Sequence, residues 1–384
     1  MAKPQSSSTG ITKTSKKINF IEFSDVHLGH HRTKTPKIID ALYRMLPDTE
    51  ATRNLDLIII AGDLFDRLLQ KNDEHMWLIE IWAMWLIQKC AKYNIVLRIL
   101  EGTPSHDWKQ SLMFKTYNEG AQWQADVKYV TDLEYEYHAG LDLGILYLPD
   151  EWHPDTTHCF KEAKRVLAEN GVEQADVIIM HGAFEYQLPA HCGIETHDSQ
   201  AWQSLVKHFI FCGHIHQRSQ YGKILVAGSL DRLCHGDEVP KGYIAGTIDK
   251  AGNHVVRFVD NEKAQAYVTI DCRDLSVHEA LSKIESAIKL PEGSFIRIEA
   301  NSGDNVASAI PILKEQYPQF YWDNPKIHST EVLNASTAVL AIDRYVPIDL
   351  TKDNLPTLLK ERLVKRGLTE VQITRALALL KESM

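Results

Sequence analysis

Asp25-Val-His27 closes a short apolar run beginning at Ile18, and it sets a carboxylate and an imidazole two residues apart. On an extended segment that spacing lets both side chains turn toward one point. An aspartate oxygen beside an imidazole nitrogen suits a divalent transition metal better than calcium or magnesium alone. The pattern then recurs. Leu57-Ile-Ile-Ile-Ala-Gly62-Asp63-Leu-Phe-Asp66-Arg67 delivers Asp63 just after a glycine, and Ile99-Leu-Glu-Gly102-Thr-Pro-Ser105-His106-Asp107 again runs from apolar residues through glycine into a polar cluster. Val177-Ile-Ile-Met-His181-Gly182 and Phe209-Ile-Phe-Cys-Gly213-His214-Ile-His216 follow. One such junction is an ordinary turn. Five in chain order are not explained by packing.

This inventory fits a pair of cations. Two divalent ions about 3.5–4 Å apart can hold an attacking hydroxide and stabilise a phosphoryl oxygen during in-line displacement. The pair needs a bridging carboxylate, for which Asp63 is best placed. Carboxylate and neutral imidazoles at the other positions tune a bound water toward a pKa of ~7. One further imidazole should protonate the leaving oxygen, with a carboxylate to fix its tautomer. His106 followed by Asp107 matches that requirement.

The elements that must position these residues alternate between apolar, β-rich runs and helical stretches as far as about residue 260. Runs such as Leu55–Ile60, Ile95–Leu100, Gly144–Leu148 and Val177–Met180 read as buried strands with polar C-terminal ends, where open α/β sheets place their chemistry. Asp73 to Lys92 predicts a long helix with almost no polar face, covered on more than one side or packed against a second copy. A smaller α+β unit follows from 266 to 345, with strands at Tyr267–Ile270, Phe295–Glu299, Phe320–Trp322 and Ala338–Ile342 and helices at Val277–Ile288 and Asn305–Gln316. Residues 349–384 read as two charged helices, and 1–17 as a disordered tail. The expected fold is therefore α/β: a β-sandwich flanked by helices over 18–262, a small α+β cap and C-terminal helices.

Composition narrows the class. At 384 residues the chain has room for more than one domain. No apolar run reaches the ~20 residues of a membrane helix, and the N-terminus lacks the apolar core of a secretory signal. Six scattered cysteines without a Cys-x-x-Cys pair argue against a zinc knuckle or disulfide framework and for a reducing cytoplasm. A net charge of −9 excludes indiscriminate nucleic-acid binding over the whole surface, though not through a local basic groove. No Gly-x-x-x-x-Gly-Lys-Ser/Thr loop is present, so ATP hydrolysis is not expected of this chain.

Asp-x-His, Gly-Asp-x-x-Asp, a Gly…His-Asp cluster, His-Gly and Gly-His-x-His, in this order, resemble the calcineurin-like metallophosphoesterase superfamily. Within it, Asp25-Val-His27-Leu-Gly29, Gly62-Asp-Leu-Phe-Asp66 and the run from Ala227-Gly-Ser through Arg232 to Lys241-Gly242 are similar to the SbcD family of DNA double-strand-break nucleases. The resemblance implies that one metal takes Asp25, His27, Asp63 and His216 and the other Asp63, His181 and His214. His106 is then the acid and Asp107 its orienting partner. The family reads Gly-Asn-His-Asp/Glu at the third junction, with the Asn carbonyl a ligand. Here the loop is two residues longer, with Ser105 at the expected Asn position and a weaker second site as the consequence. Two manganese ions (magnesium in their place), DNA contacts from Arg32, Arg67 and Arg232, a homodimer through the Trp-rich helix, and an SbcC-type coiled-coil ATPase gripped by the final helices are implied as well. So are exonuclease action on double-stranded DNA and endonuclease action on single strands and hairpins. A phosphoprotein phosphatase or phosphodiesterase on the same fold is the alternative, although Leu68-Leu69 after Arg67 and Asp107 in place of Glu depart from that pattern. A catalytically weak DNA-end scaffold is the other.

Overall fold

The computed structural model describes residues 17–189, 193–286, 289–302, 304, 306, 310–328, 355–365 and 370–383. Strands β1 (Ile18–Phe23), β2 (Leu57–Ala61), β3 (Val96–Leu100) and β4 (Val127–Val130) run parallel in sequence order. Helices α1 (Thr35–Met45), α2 (Glu50–Arg53), α3 (Met76–Tyr93) and α4 (Leu112–Gly120) fall in the connections between them. The chain then builds a second sheet from β5 (Glu134–His138), β6 (Leu143–Leu148), β7 (Ala175–His181), β8 (Val206–Gly213), β9 (Ser219–Tyr221) and β10 (Ile224–Val226). In spatial order this sheet runs β5-β6-β7-β8-β10-β9, with β6, β7, β8 and β10 parallel. Helices α5 (Thr156–Glu169) and α6 (Ser199–Gln203) belong to it. Finally β11 (Gly242–Ile248) and β12 (His254–Asp260) return to the first sheet, with β11 the antiparallel neighbour of β1 and β12 that of β11. The expected α/β sandwich is present: two mixed sheets flanked by helices.

Period-two alternation divides each strand between two cores. Phe20, Ile59 and Val96 from the first sheet meet Ile145, Ile179 and Phe211 from the second, and the Phe20 and Phe211 rings touch edge to face at 5.1 Å. The alternate residues Ile21, Phe23, Ile58 and Ile60 pack under α1, α3 and α4. Ile178, Met180 and Ile210 pack under α5 and α6. Strands buried on both faces must be apolar throughout, which is why Leu57–Ala61 reads as an unbroken hydrophobic run.

The Trp-rich helix begins at Met76, three residues later than expected. Asp73 lies outside it, accepting bonds from Arg67 and from the Gln70 amide. Ile79, Trp82, Leu86 and Ile87 face the sheet, and Trp82 meets Phe114 of α4 edge-on at 5.9 Å. Trp85 packs against Tyr43 of α1 at 4.7 Å. A stripe one helical turn apart stays open, with Trp77 59% and Ile81 44% exposed.

A third sheet is built from β13 (Tyr267–Asp271), β14 (Phe295–Asn301), β15 (Tyr321–Trp322) and β16 (Lys326–His328), covered by α7 (Val277–Ser286) and α8 (Ile310–Gln316) around Ile284, Ile298 and Leu313. Strand β16 was not anticipated, and the strand expected at Ala338–Ile342 lies outside the described residues, as does the N-terminal tail to residue 16. The chain through Ile327 forms one compact unit; His328 onward forms another, with α9 (Leu355–Lys365) and α10 (Glu370–Ser383). Among the described residues, no helix is long and apolar enough to cross a membrane.

Trp82 is fully buried, so Trp82→Ala should lower the unfolding free energy by about 3–5 kcal/mol. Ile81→Ser on the open stripe should change it by less than about 0.5 kcal/mol when measured at a protein concentration where the chain is monomeric. Urea denaturation of both variants checks the assignment of the two faces.

Candidate metal centre

The five junctions meet at one edge of the sandwich. Asp25 and His27 follow β1, Asp63 follows β2 and His106 follows β3; His181 ends β7 and His214 and His216 follow β8. All of these are C-terminal ends of parallel strands, three in one sheet and two in the other. The turns that bring the side chains inward are unusual. Asp25 (φ 49°), His27 (φ 54°), Asp63 (φ 48°) and His214 (φ 98°) all adopt left-handed backbone, uncommon for residues with a Cβ. Such conformations persist where the surroundings over-determine them, and they concentrate at functional sites. Here the two loops lock one another: the amides of Asp25, Val26 and Leu28 donate to the carbonyls of Gly62, Asp63 and Leu64 at 3.1, 2.9 and 2.9 Å. At Gly62 a Cβ would strike the His181 ring, and at Gly102 it would strike Asp63. Gly62 and Gly213 thus mark where the two sheets come together, and Gly102 where neighbouring loops of one sheet do.

Four overlapping groups of ligand atoms result, each within 4.8 Å: Asp25–His27–His216, His27–Asp63–His106, Asp25–Asp63–His181 and Asp150–His181–His214. Asp63 shares groups with residues on both sides, the position of a bridging carboxylate. His27 and His216 direct their Nε2 atoms at one another across 3.1 Å. His181 donates from Nδ1 to the Ala61 carbonyl at 2.7 Å, which turns Nε2 toward Asp63 at 3.4 Å. A second hydrogen bond that fixes ring and tautomer is the usual support of a metal-binding imidazole. His27 Nδ1 lies 3.3 Å from Asp66, a charge contact rather than a formed hydrogen bond. Asp25 accepts from the Ser24 hydroxyl (2.6 Å) and the His214 amide (2.9 Å). The buried Lys241 ammonium donates to the His216 carbonyl at 2.8 Å, giving the Lys-Gly pair of the sequence a local purpose.

Two expectations need correction, and one residue of the centre was not expected. Ser105 is exposed. The residue directly after Gly102 faces the centre instead: the Thr103 amide donates to Asp63 Oδ1 (2.6 Å), and its hydroxyl lies 3.2 Å from Asp63 and 2.9 Å from Asp150. The extra residues Pro104 and Ser105 loop outward, and His106 regains the site. Asp107 does not orient His106. It is fully buried and accepts from the amides of Phe65 (3.0 Å) and Gly102 (2.9 Å), tying the second and third loops together. The carboxylate bonded to His106 Nδ1 is Asp63, at 3.0 Å. Asp150, at the tip of β6, was missed altogether. It follows the apolar run Gly144–Leu148, but Pro149 and Glu151 flank it with no glycine beside it, so the pattern passes over it.

Each arginine expected to meet DNA has a partner within the protein. Arg32 pairs with Asp323 at 2.5 Å, Arg67 with Asp73 at 3.0 Å, and Arg232 reaches the Gln265 carbonyl at 3.4 Å.

Electrostatics decide whether the cluster fits cations. Burial raises the Asp63 carboxyl, but His181, His106 and His27 outweigh it and hold the group well below the usual carboxylate range. Burial works against a charge on His181, and Asp63 overrides it, raising that imidazole. His106 is raised by its bond to Asp63; His216 is lowered by burial. Left to itself the cluster must balance its carboxylates with protons on histidine. His181 is completely buried, and among the described residues its Nε2 has no hydrogen-bond partner. An orphaned ring nitrogen facing two carboxylates is a cation ligand in waiting. The donor set, carboxylate oxygen and imidazole nitrogen, fits divalent transition ions.

No protein-family model and no curated protein matches the chain. Among the solved structures that match, two are similar to it over 64% of its length. The one titled as the crystal structure of TT1561 of Thermus thermophilus is 12% identical, covered over 99% of its own chain, with a TM-score of 0.34. The other is 10% identical, covered over 100% of its chain, with a TM-score of 0.36. Likenesses this slight leave the reading of the site to its own geometry.

Thr103→Val removes a hydroxyl shared by Asp63 and Asp150 and should weaken manganese binding about 10-fold or more. Ser105→Ala should leave it within about twofold, as expected of an exposed surface residue. Calorimetric titration of manganese into both variants and the unaltered chain tests the corrected loop.

Proposed function

We propose that this chain is a metal-dependent phosphodiesterase acting on DNA, the nuclease subunit of an SbcCD-type assembly. The single observation that carries the reading is the convergence of Asp25, His27, Asp63, His181, His214 and His216 at one edge of the sandwich in overlapping groups. The ordered motifs and the Gly-Ser to Lys-Gly run narrow it from phosphoesterase to nuclease. Asp25, His27, Asp63 and His216 would hold one manganese ion and Asp63, Asp150, His181 and His214 the second. Divalent cations there supply a water acid enough to act as nucleophile near neutral pH, and positive charge beside a phosphoryl oxygen.

The chain's own groups do the rest. Asp63 keeps His106 Nδ1 protonated and turns Nε2 outward; the ring is 32% exposed, open to a substrate. A proton on Nε2 can pass to the departing sugar oxygen as the bond to phosphorus breaks. Thr103 and Asp107 act earlier, by holding the loops that aim Asp63 and His106. Arg32 and Arg232 stand on loops following β1 and β10 and meet DNA phosphates when their present partners release them.

On the same reading, the open stripe of α3 packs against its twin in a homodimer, and α9 with α10 binds the coiled coil of an ATPase subunit. Large apolar residues such as Trp77 suit the centre of such a contact.

His106→Ala should slow manganese-dependent cleavage of DNA by about 10²–10⁴. Its effect on bis(p-nitrophenyl) phosphate should be far smaller, because that leaving group departs without a proton. Equal, background-level cutting of DNA by both proteins contradicts the nuclease and favours a scaffold; far greater activity on para-nitrophenyl phosphate than on DNA favours a phosphatase. For the dimer, Trp77→Arg with Ile81→Glu should convert a sedimenting dimer to monomer, and an unaltered mass counts against that surface.

A further inference from the structure

Beside the metal centre, between the loops that follow β6 and β7, lies a cavity of about 470 Å³. That is within the range of small-ligand sites, roughly 300–1,000 Å³. Asp150 and His214 line one end, and both belong to the group Asp150–His181–His214. Cavity and centre therefore share a wall. A ligand whose phosphate sits at the centre has this space as the neighbouring compartment.

The other walls have a definite chemistry. Pro149, Trp152, His153 and Ile194 offer flat or aliphatic surface. Trp152 is already held in place: its indole N–H donates to the Asp132 carboxylate, and its ring lies parallel to His158 at 6.0 Å between centroids. His158 is in turn braced by His153 at 4.2 Å. A ring ordered before binding loses little freedom when a flat ligand stacks on it. His197 also lines the space; it is 7% exposed, and its Nδ1 is enclosed. Burial lowers its pKa to about 4, so near neutrality the ring is uncharged. Asp150, Glu151 and Glu195 also border the space. Their charges repel an acidic ligand and favour a neutral one with N–H donors.

We infer that this cavity is a nucleobase subsite, taking the base of the nucleotide whose phosphate lies at the metal centre, stacked on Trp152. Planarity, neutrality and amino donors together describe adenine, cytosine or guanine better than an acidic or purely aliphatic group. A base in a duplex is stacked on its neighbours and cannot enter, so the subsite selects unpaired or frayed strands. The phosphate half of this inference rests on the proposed phosphodiesterase chemistry; the base contact does not.

The test therefore has two arms on the full chain. In the first, saturation-transfer NMR without metal follows the base protons of 2′-deoxyadenosine. Transfer is expected with the unaltered protein and with Trp152→Phe, and lost with Trp152→Ala and with Ile194→Arg, which fills the mouth. No transfer to the unaltered protein, or undiminished transfer in both disruptive variants, overturns the subsite. In the second arm, with manganese, kcat/KM for a single-stranded oligonucleotide relative to bis(p-nitrophenyl) phosphate should fall about tenfold in Trp152→Ala, as expected for one lost stacking contact. An unchanged ratio overturns the role in substrate choice. Base contact without DNA cleavage retains the subsite and defeats the nuclease reading; cleavage without base contact does the reverse.

Discussion

Carboxylates buried beside imidazoles at the seam of two sheets form the constraint on which the rest of the structure depends. Asp25 and Asp63 are at most 3% exposed and His181 is wholly enclosed. Taking such groups out of water is expensive unless each charge meets a partner of opposite sign. Without cations the balance falls to protons, which is why His181 and His106 are both raised by Asp63. The arrangement is a poor way to stabilise a protein and a good way to prepare a cation site.

Holding it together takes both sheets. The first sheet contributes Asp25, His27, Asp63 and His106 from three adjacent parallel strands; the second contributes Asp150, His181, His214 and His216 from another three. Neither half has a complete ligand set. The interleaved core of Phe20, Ile59, Ile179 and Phe211 therefore does more than bury surface: it sets the spacing between the two half-sites. A second layer of bonds then aims each donor. Ala61 turns His181, Asp66 lies against His27, Lys241 holds the carbonyl of His216, and Asp107 clasps the amides of two loops. Left-handed turns at Asp25, His27, Asp63 and His214 show that the backbone is bent to this purpose against its own preference.

Much of this was legible before any coordinates. Strands buried on both faces must be continuous apolar runs, and a chain turning sharply at a crowded seam needs glycine, so five tips announced themselves. What escaped notice had physical reasons. Asp150 follows Pro149 and so carries no glycine signal. Ser105 and Thr103 could not be told apart by counting residues, since an insertion can loop outward on either side. Asp107 adjoins His106 in sequence, yet consecutive residues in a turn point apart, and its carboxylate goes to backbone amides instead. For the Trp-rich helix, composition alone could not say which residues the sheet, α1 and α4 would cover; Trp77 and Ile81 are the ones left open. In the small third sheet, Lys326–His328 is too short and too polar to be read as a strand.

Anomalous diffraction from a manganese-soaked crystal tests the central claim most directly. Two peaks should appear about 3.5–4 Å apart, with Asp63 between them, Asp25, His27 and His216 around one, and Asp150, His181 and His214 around the other. No peak at this edge of the sandwich, or a single ion that leaves His181 Nε2 without a ligand, would contradict the account.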